Sequence, residues 1–163
     1  MAHPTRPARH DKDSDFLTRE MFLKMPTVQD VQKYWDERPC NLRHSAALPG
    51  TREYFEQVES RKYLVEPHIP GFADFPRWRD KDVLEIGCGI GTDSANFARN
   101  GARLDIVELS GESVSITRRR FELYGLQGNF IHGNAEELDT ILPPGKNYDL
   151  IYSFGVIHHT PHP

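Results

Sequence analysis

Residues 83–92 read Val83-Leu84-Glu85-Ile86-Gly87-Cys88-Gly89-Ile90-Gly91-Thr92: an apolar run holding one acid, then three glycines in five positions. The short apolar run predicts a buried strand, and Gly87 to Gly91 predict a tight turn. From Thr92 to Asn100, Ala95, Phe97 and Ala98 recur at helical spacing, and Gly101 supplies a natural stop. Strand, turn and helix in this order open a parallel α/β unit.

The same alternation continues toward the C-terminus. Leu104-Asp105-Ile106-Val107 predicts a second strand ending at Glu108, and Ser110 is a suitable N-cap for a helix reaching Tyr124-Gly125 with Val114, Thr117 and Phe121 on one face. Asn129 to His132 predicts a third strand, and Tyr148 to Ser153 a fourth after Pro143, Pro144 and Gly145. The fold class is therefore α/β, a Rossmann-like, doubly wound and mainly parallel sheet.

Toward the N-terminus the pattern is helical. Thr27 is a plausible N-cap for a helix carrying Val28, Val31, Tyr34 and Trp35, stopped by Pro39. A second helix begins after Pro49-Gly50-Thr51, gathers Tyr54, Phe55, Val58 and Val65 on one side, and closes at Glu66-Pro67. Pro67, Pro70, Gly71 and Pro76 predict an irregular connection anchored by Phe72, Phe75 and Trp78. Residues 1–26 contain few large apolar side chains and are expected to form a flexible tail. The organisation is thus a tail (1–26), a helical extension or lid (27–80) and an α/β domain (81–163).

Composition narrows the function. The 163 residues suit about one core, and no stretch approaches a membrane span or a signal-peptide core. Cys40 and Cys88 are far apart without CxxC spacing, which argues against a disulfide framework or structural zinc and fits a cytoplasmic protein. Net charge is −4, and residues 83–163 hold 6 Lys and Arg against 10 Asp and Glu, unlike a nucleic-acid footprint. The basic run Arg118-Arg119-Arg120 is expected to fan around a solvated helix.

In a doubly wound sheet the ligand sits beyond the carboxyl ends of the strands, at the first strand-to-helix turn. Glu108, 21 residues past Gly87 at the next strand's end, places a carboxylate where it can accept from two adjacent ribose hydroxyls. A dinucleotide fingerprint requires glycine where Thr92 stands, and the charge of Glu85 opposes a pyrophosphate but suits an ammonium and a sulfonium. A cationic nucleoside is the favoured ligand, and a nicotinamide-dependent oxidoreductase is the weaker alternative.

The segment from Val83 to Thr92 closely resembles the first motif of class I S-adenosylmethionine-dependent methyltransferases. Val107-Glu108-Leu109-Ser110 resembles that family's second-strand end, His132-Gly133-Asn134-Ala135-Glu136-Glu137-Leu138 its adenine-contacting segment, and Tyr148 onward its fourth-strand motif. Tyr34-Trp35-Asp36, Pro39-Cys40-Asn41 and Gly50 to Phe55 resemble the leading segment of some bacterial members. The resemblance implies S-adenosylmethionine as cofactor and a backbone cradle from Gly87 through Cys88 and Gly89 to Gly91 against its methionine part. It implies that Glu85 holds the amino group directly or through water, Glu108 takes the ribose hydroxyls and Leu109 packs on the adenine. Asn134, where the family usually has Asp, can still accept from the adenine amino group while the Ala135 N–H donates to the ring.

Methyl transfer from a sulfonium is an in-line displacement that chiefly requires alignment and exclusion of water. A general base matters only when the acceptor must lose a proton, and His158 and His159 after the fourth strand are the candidates, with packing or loop hydrogen bonding as the alternative. With His162 they lack a nearby carboxylate, so no metal site is expected. Tyr34, Trp35, Arg43, His44, Tyr54 and Phe55 either build an acceptor pocket or dock the extension on the sheet.

The resemblance also implies a seven-stranded sheet in the order 3-2-1-4-5-7-6, of which this chain supplies four strands. The fourth then forms an edge with an uncovered apolar side, open to pairing as a homodimer or to completion by another chain. The expected function is methyl transfer to a small-molecule acceptor, without nucleic-acid or membrane partners. A cofactor-binding or assembly module without independent turnover is the alternative.

Overall fold

The computed structural model describes residues 26–160, so the expected tail, apart from Pro26, and His162 lie outside the described residues. The α/β part consists of β1 (Asp82–Ile86), β2 (Arg103–Glu108), β3 (Asn129–His132) and β4 (Leu150–Ser153). They form one parallel sheet in the order β3-β2-β1-β4. The chain steps outward from β1 to β3 and then returns to the other side of β1, so the order reverses at the strand that carries the glycine turn.

Side-chain alternation gives β1 and β2 two apolar faces. Val83, Leu104 and Ile106 pack with Phe75, Ala95, Phe97 and Phe121. Leu84, Ile86 and Val107 pack on the opposite face, with Ile131, Leu138, Ile141 and Val156 around them. The first face is covered by α4 (Thr92–Arg99) and α5 (Gly111–Tyr124), as expected from the Ser110 cap, whose hydroxyl accepts from Ser113 N at 3.1 Å. The one-turn helix α6 (Leu138–Ile141) lies on the second.

The N-terminal extension contains α1 (Val28–Glu37), α2 (Arg52–Val65) and α3 (Ile69–Ala73). Thr27 and Asp30 form a reciprocal capping box at the start of α1, which buries no residue of its own. The α2 helix docks through Tyr54, Phe55 and Val58, which are fully buried with Ile90 in a separate cluster.

Several expectations need correction. The 67–78 connection is ordered as α3 and a short 3-10 helix (Phe75–Trp78), tied by Trp78 Nε1 donating to Ala73 O at 2.9 Å. Phe75 is its buried anchor, whereas Phe72 is 66% exposed, with its ring tilted against those of Tyr152 and Phe154 at 6.1 Å. Val65 is 47% exposed, because Lys62 and Tyr63 carry the last turns of α2 against α4. The β4 ladder begins at Leu150, since Asp149 instead ties the start of β1 with its backbone and side chain while the Tyr148 hydroxyl turns to Asp105.

The basic run is the largest departure. Arg118 and Arg119 face solvent, but Arg120 is fully buried and donates to Glu59 of α2 at 2.5 Å and to Thr92 Oγ1 at 2.8 Å. A rotation of about 100° per residue brings the third arginine inward, where a carboxylate from a distant helix meets it.

Candidate functional site

A cavity opens at the carboxyl ends of β1, β2 and β4, walled by the glycine turn, the ends of the strands, and α1 with the segment that follows it. Gly87, Cys88 and Gly89 line it, and the chain bends there through positive φ at Gly87 (77°) and Gly89 (54°). A Cβ on Gly87 would fall 2.4 Å from Val156, another wall residue, so glycine here lets the β4 loop close onto the turn. Gly91 is not on the wall; its missing Cβ makes room for Thr117 of α5, which fixes the turn by donating to Gly89 O at 3.1 Å. Cys88 also faces that hydroxyl, and burial holds its thiol well above the ordinary range.

Glu108 lines the cavity at the end of β2. Its Oε2 accepts from Gly89 N at 3.0 Å and its Oε1 from Ser110 N at 2.9 Å, which holds the carboxylate in one orientation. Each oxygen keeps a lone pair for a further donor, the arrangement a vicinal diol needs. Burial raises its pKa, and these two amides oppose the rise.

Leu109, Gly133, Asn134 and Ala135 continue the wall beyond β2 and β3. Asn134 caps the next turn, its Oδ1 accepting from Glu136 N at 3.1 Å, so the amide oxygen is fixed and already shared. Glu85, by contrast, is 3% exposed on β1 and is not on the cavity wall. One of its oxygens is buried without a partner, and desolvation, reinforced by Asp93, pushes its carboxyl up to about 8.

The remaining wall comes from α1, the segment after it, α2 and the loop after β4. Trp35 meets the His159 ring at 5.4 Å edge-on, and both line the cavity with Val31, Phe154 and Thr160. His158 lies against His159, the ring centroids 4.0 Å apart and the planes tilted, but it is outside the wall. Burial, with His158 nearby, holds the His159 imidazole below its usual value. Of the six residues expected at an acceptor pocket, only Trp35 lines it; Tyr54 and Phe55 are docking residues, Tyr34 and Arg43 are exposed, and His44 lies off the wall. Val31 and Lys62 also line the cavity, with no local signal in the sequence to mark them, because their place on the wall depends on how the extension folds back.

A family model described as a methyltransferase domain matches residues 83–163. The fold is shared with magnesium protoporphyrin IX methyltransferase from Synechocystis PCC 6803, solved with bound S-adenosylmethionine: TM-score 0.58, 19% identity, covering 82% of this chain and 64% of that one. Residues 83–163 belong to the class I S-adenosylmethionine-dependent methyltransferases. The ubiquinone biosynthesis O-methyltransferase of Nitrosospira multiformis is 27% identical over 100 residues, 61% of this chain and 41% of the relative. The ribosomal RNA small subunit methyltransferase A of Porphyromonas gingivalis is 39% identical over 75 residues, 44% of this chain and 28% of the relative. The chain therefore spans less than half the length of these curated relatives. S-adenosylmethionine is the family's cofactor, and the fixed Glu108 carboxylate beside a backbone cradle fits its nucleoside. Among the described residues, no helix is long and apolar enough to cross a membrane.

Proposed function

We propose that this chain binds S-adenosylmethionine between the glycine turn and Glu108 and transfers its methyl group to a small organic acceptor. The carrying observation is that Glu108, held by Gly89 N and Ser110 N, presents spare acceptor capacity into a cavity that α1 and the β4 loop wall off with Trp35 and Phe154. The cofactor supplies the methyl group and the thioether leaving group. Gly87, Cys88 and Gly89 support its amino-acid end, with Glu85 acting on the amino group through water from outside the wall. Leu109, Asn134 and Ala135 hold the adenine, and Gly91 keeps the turn closed against α5. His159 is the wall histidine positioned to take a proton from the acceptor, with His158 packed behind it. A small acceptor is favoured over RNA by the enclosed aromatic wall and the net charge of −4.

Calorimetric titration with S-adenosylhomocysteine tests the site. Saturable binding is expected, weakened about 10- to 100-fold by Glu108→Ala, since hydrogen bonds to a charged acceptor contribute about 1.5–3 kcal/mol. Absence of heat from a folded chain, or binding of NAD in its place, overturns the reading. Transfer of labelled methyl to a small-molecule extract and not to total RNA is expected. Binding without transfer to either would assign the chain to the second reading, a cofactor-binding module, which the unpaired outer edge of β4 among the described residues favours.

A further inference from the structure

Among the described residues, Lys62 is the one lysine or arginine lining the cavity, and it comes from α2, outside the matched residues 83–163. Its ammonium donates to Asp93 Oδ2 at 2.8 Å, and the side chain is only 12% exposed. A sheltered pair between α2 and α4 can be a mere staple, so what each partner has to spare is informative. Asp93 is already supplied by two neutral donors, the Tyr152 hydroxyl on Oδ2 at 2.9 Å and the Tyr63 hydroxyl on Oδ1 at 3.0 Å. Lys62 has three N–H donors, and Asp93 takes one. The Phe154 ring, also on the wall, lies 5.9 Å from the ammonium. The described residues thus charge the cavity with a carboxylate at the end of β2, where Glu108 stands, and an ammonium beside the helix that follows the glycine turn.

Building on the proposed cofactor reading, we infer that Lys62 receives the carboxylate of the cofactor's amino-acid end, so the N-terminal extension contributes a binding residue as well as a cover. A nucleoside that meets Glu108 at one end and carries a free carboxylate at the other matches this distribution of charge. Asp93 and its two tyrosines hold the ammonium in place before the ligand arrives, which lowers the ordering cost of the new ion pair. The ligand's affinity and the docking of α2 are then linked, because Lys62 reaches the cavity only while α2 lies against α4.

The test titrates the full chain with S-adenosylhomocysteine and with its decarboxylated analogue, which keeps the ammonium and lacks only the carboxylate. The wild type is expected to prefer the carboxylate-bearing ligand by about 10- to 100-fold, as for a charge-assisted pair. Lys62→Gln, which keeps an N–H for Asp93 but no charge, should shrink the preference to about threefold or less. It should leave affinity for the decarboxylated ligand near that of the wild type. Lys62→Arg should retain most of the preference, and Lys62→Met is the second neutral variant should the Gln variant fail to fold. Equal wild-type affinity for both ligands, or an undiminished preference in a folded neutral variant, overturns the role of Lys62 alone. No binding of S-adenosylhomocysteine to the wild type overturns the cofactor reading and this inference with it.

Discussion

Glu85 shows how much one side chain's surroundings change its chemistry. On β1 it shares a face with Val83, close to Asp93, and burial lifts its carboxyl from 4.5 to about 8. Between these values the folded state holds the proton that the unfolded chain releases, so ionisation favours unfolding increasingly as pH rises from 4.5 to 8, and no further above that. Glu85→Gln removes that penalty. The variant is expected to gain about 3 kcal/mol over wild type at pH 7 and almost nothing at pH 4, read from urea unfolding at both. A gain of the same size at both pH values would show that ionisation is not its source. Arg120 is the complementary case, a buried cation whose partner Glu59 arrives from α2. Both residues were legible as charges, and Glu85 as part of a buried strand; the approach of Asp93 to Glu85 and the burial of Arg120 were not, because they belong to the packed body and not to the local run.

At the scale of elements, α1 and α2 are both amphipathic and both carry a threonine cap, yet they are held differently. Three fully buried residues anchor α2, whereas α1 buries none. The α1 helix is attached by Gln32 to His132 at 3.3 Å, by Asp36 accepting from Glu112 N at 3.4 Å, and by Trp35 against His159. These contacts bring α1 to the end of β3, to the start of α5 and to the loop after β4. Exposed polar contacts of this kind contribute little each, so α1 is the element that opens first. Amide hydrogen exchange should show α1 exchanging at least about 100-fold faster than the Tyr54–Val58 stretch of α2. Saturating S-adenosylhomocysteine should slow α1. Equal protection of the two helices would contradict this order of opening.

For the whole molecule, the sheet presents one edge that matters. The β4 strand pairs only with β1 among the described residues, and Ile151 on it is 61% exposed. An unpaired apolar edge is a template for another strand, and a net charge of −4 over 163 residues offers only modest repulsion. Sedimentation of this chain should show self-association that grows with concentration and that Ile151→Lys reduces, since a charge on the edge opposes pairing. A monomer at every concentration would place the association surface elsewhere or show that there is none.

The alternation of strand and helix, the glycine turn and the carboxylate at Glu108 were readable in the chain itself, because period, turn chemistry and the strand-end position of a ligand are local properties. They suffice for a parallel α/β sheet with its glycine turn and Glu108 at the carboxyl ends of the strands, whereas the order β3-β2-β1-β4 was legible only through the resemblance to the methyltransferase family. Tertiary structure alone decided that Glu85 leaves the wall while Trp35 and Lys62 join it, that Gly91 serves packing, and that Arg120 is buried. These outcomes rest on segments distant in sequence meeting in space: α1 with the β4 loop, α2 with α4 and with α5, and α5 with the turn. Such meetings are set by how apolar faces stack and which charges are enclosed with them, quantities that no single stretch of residues contains.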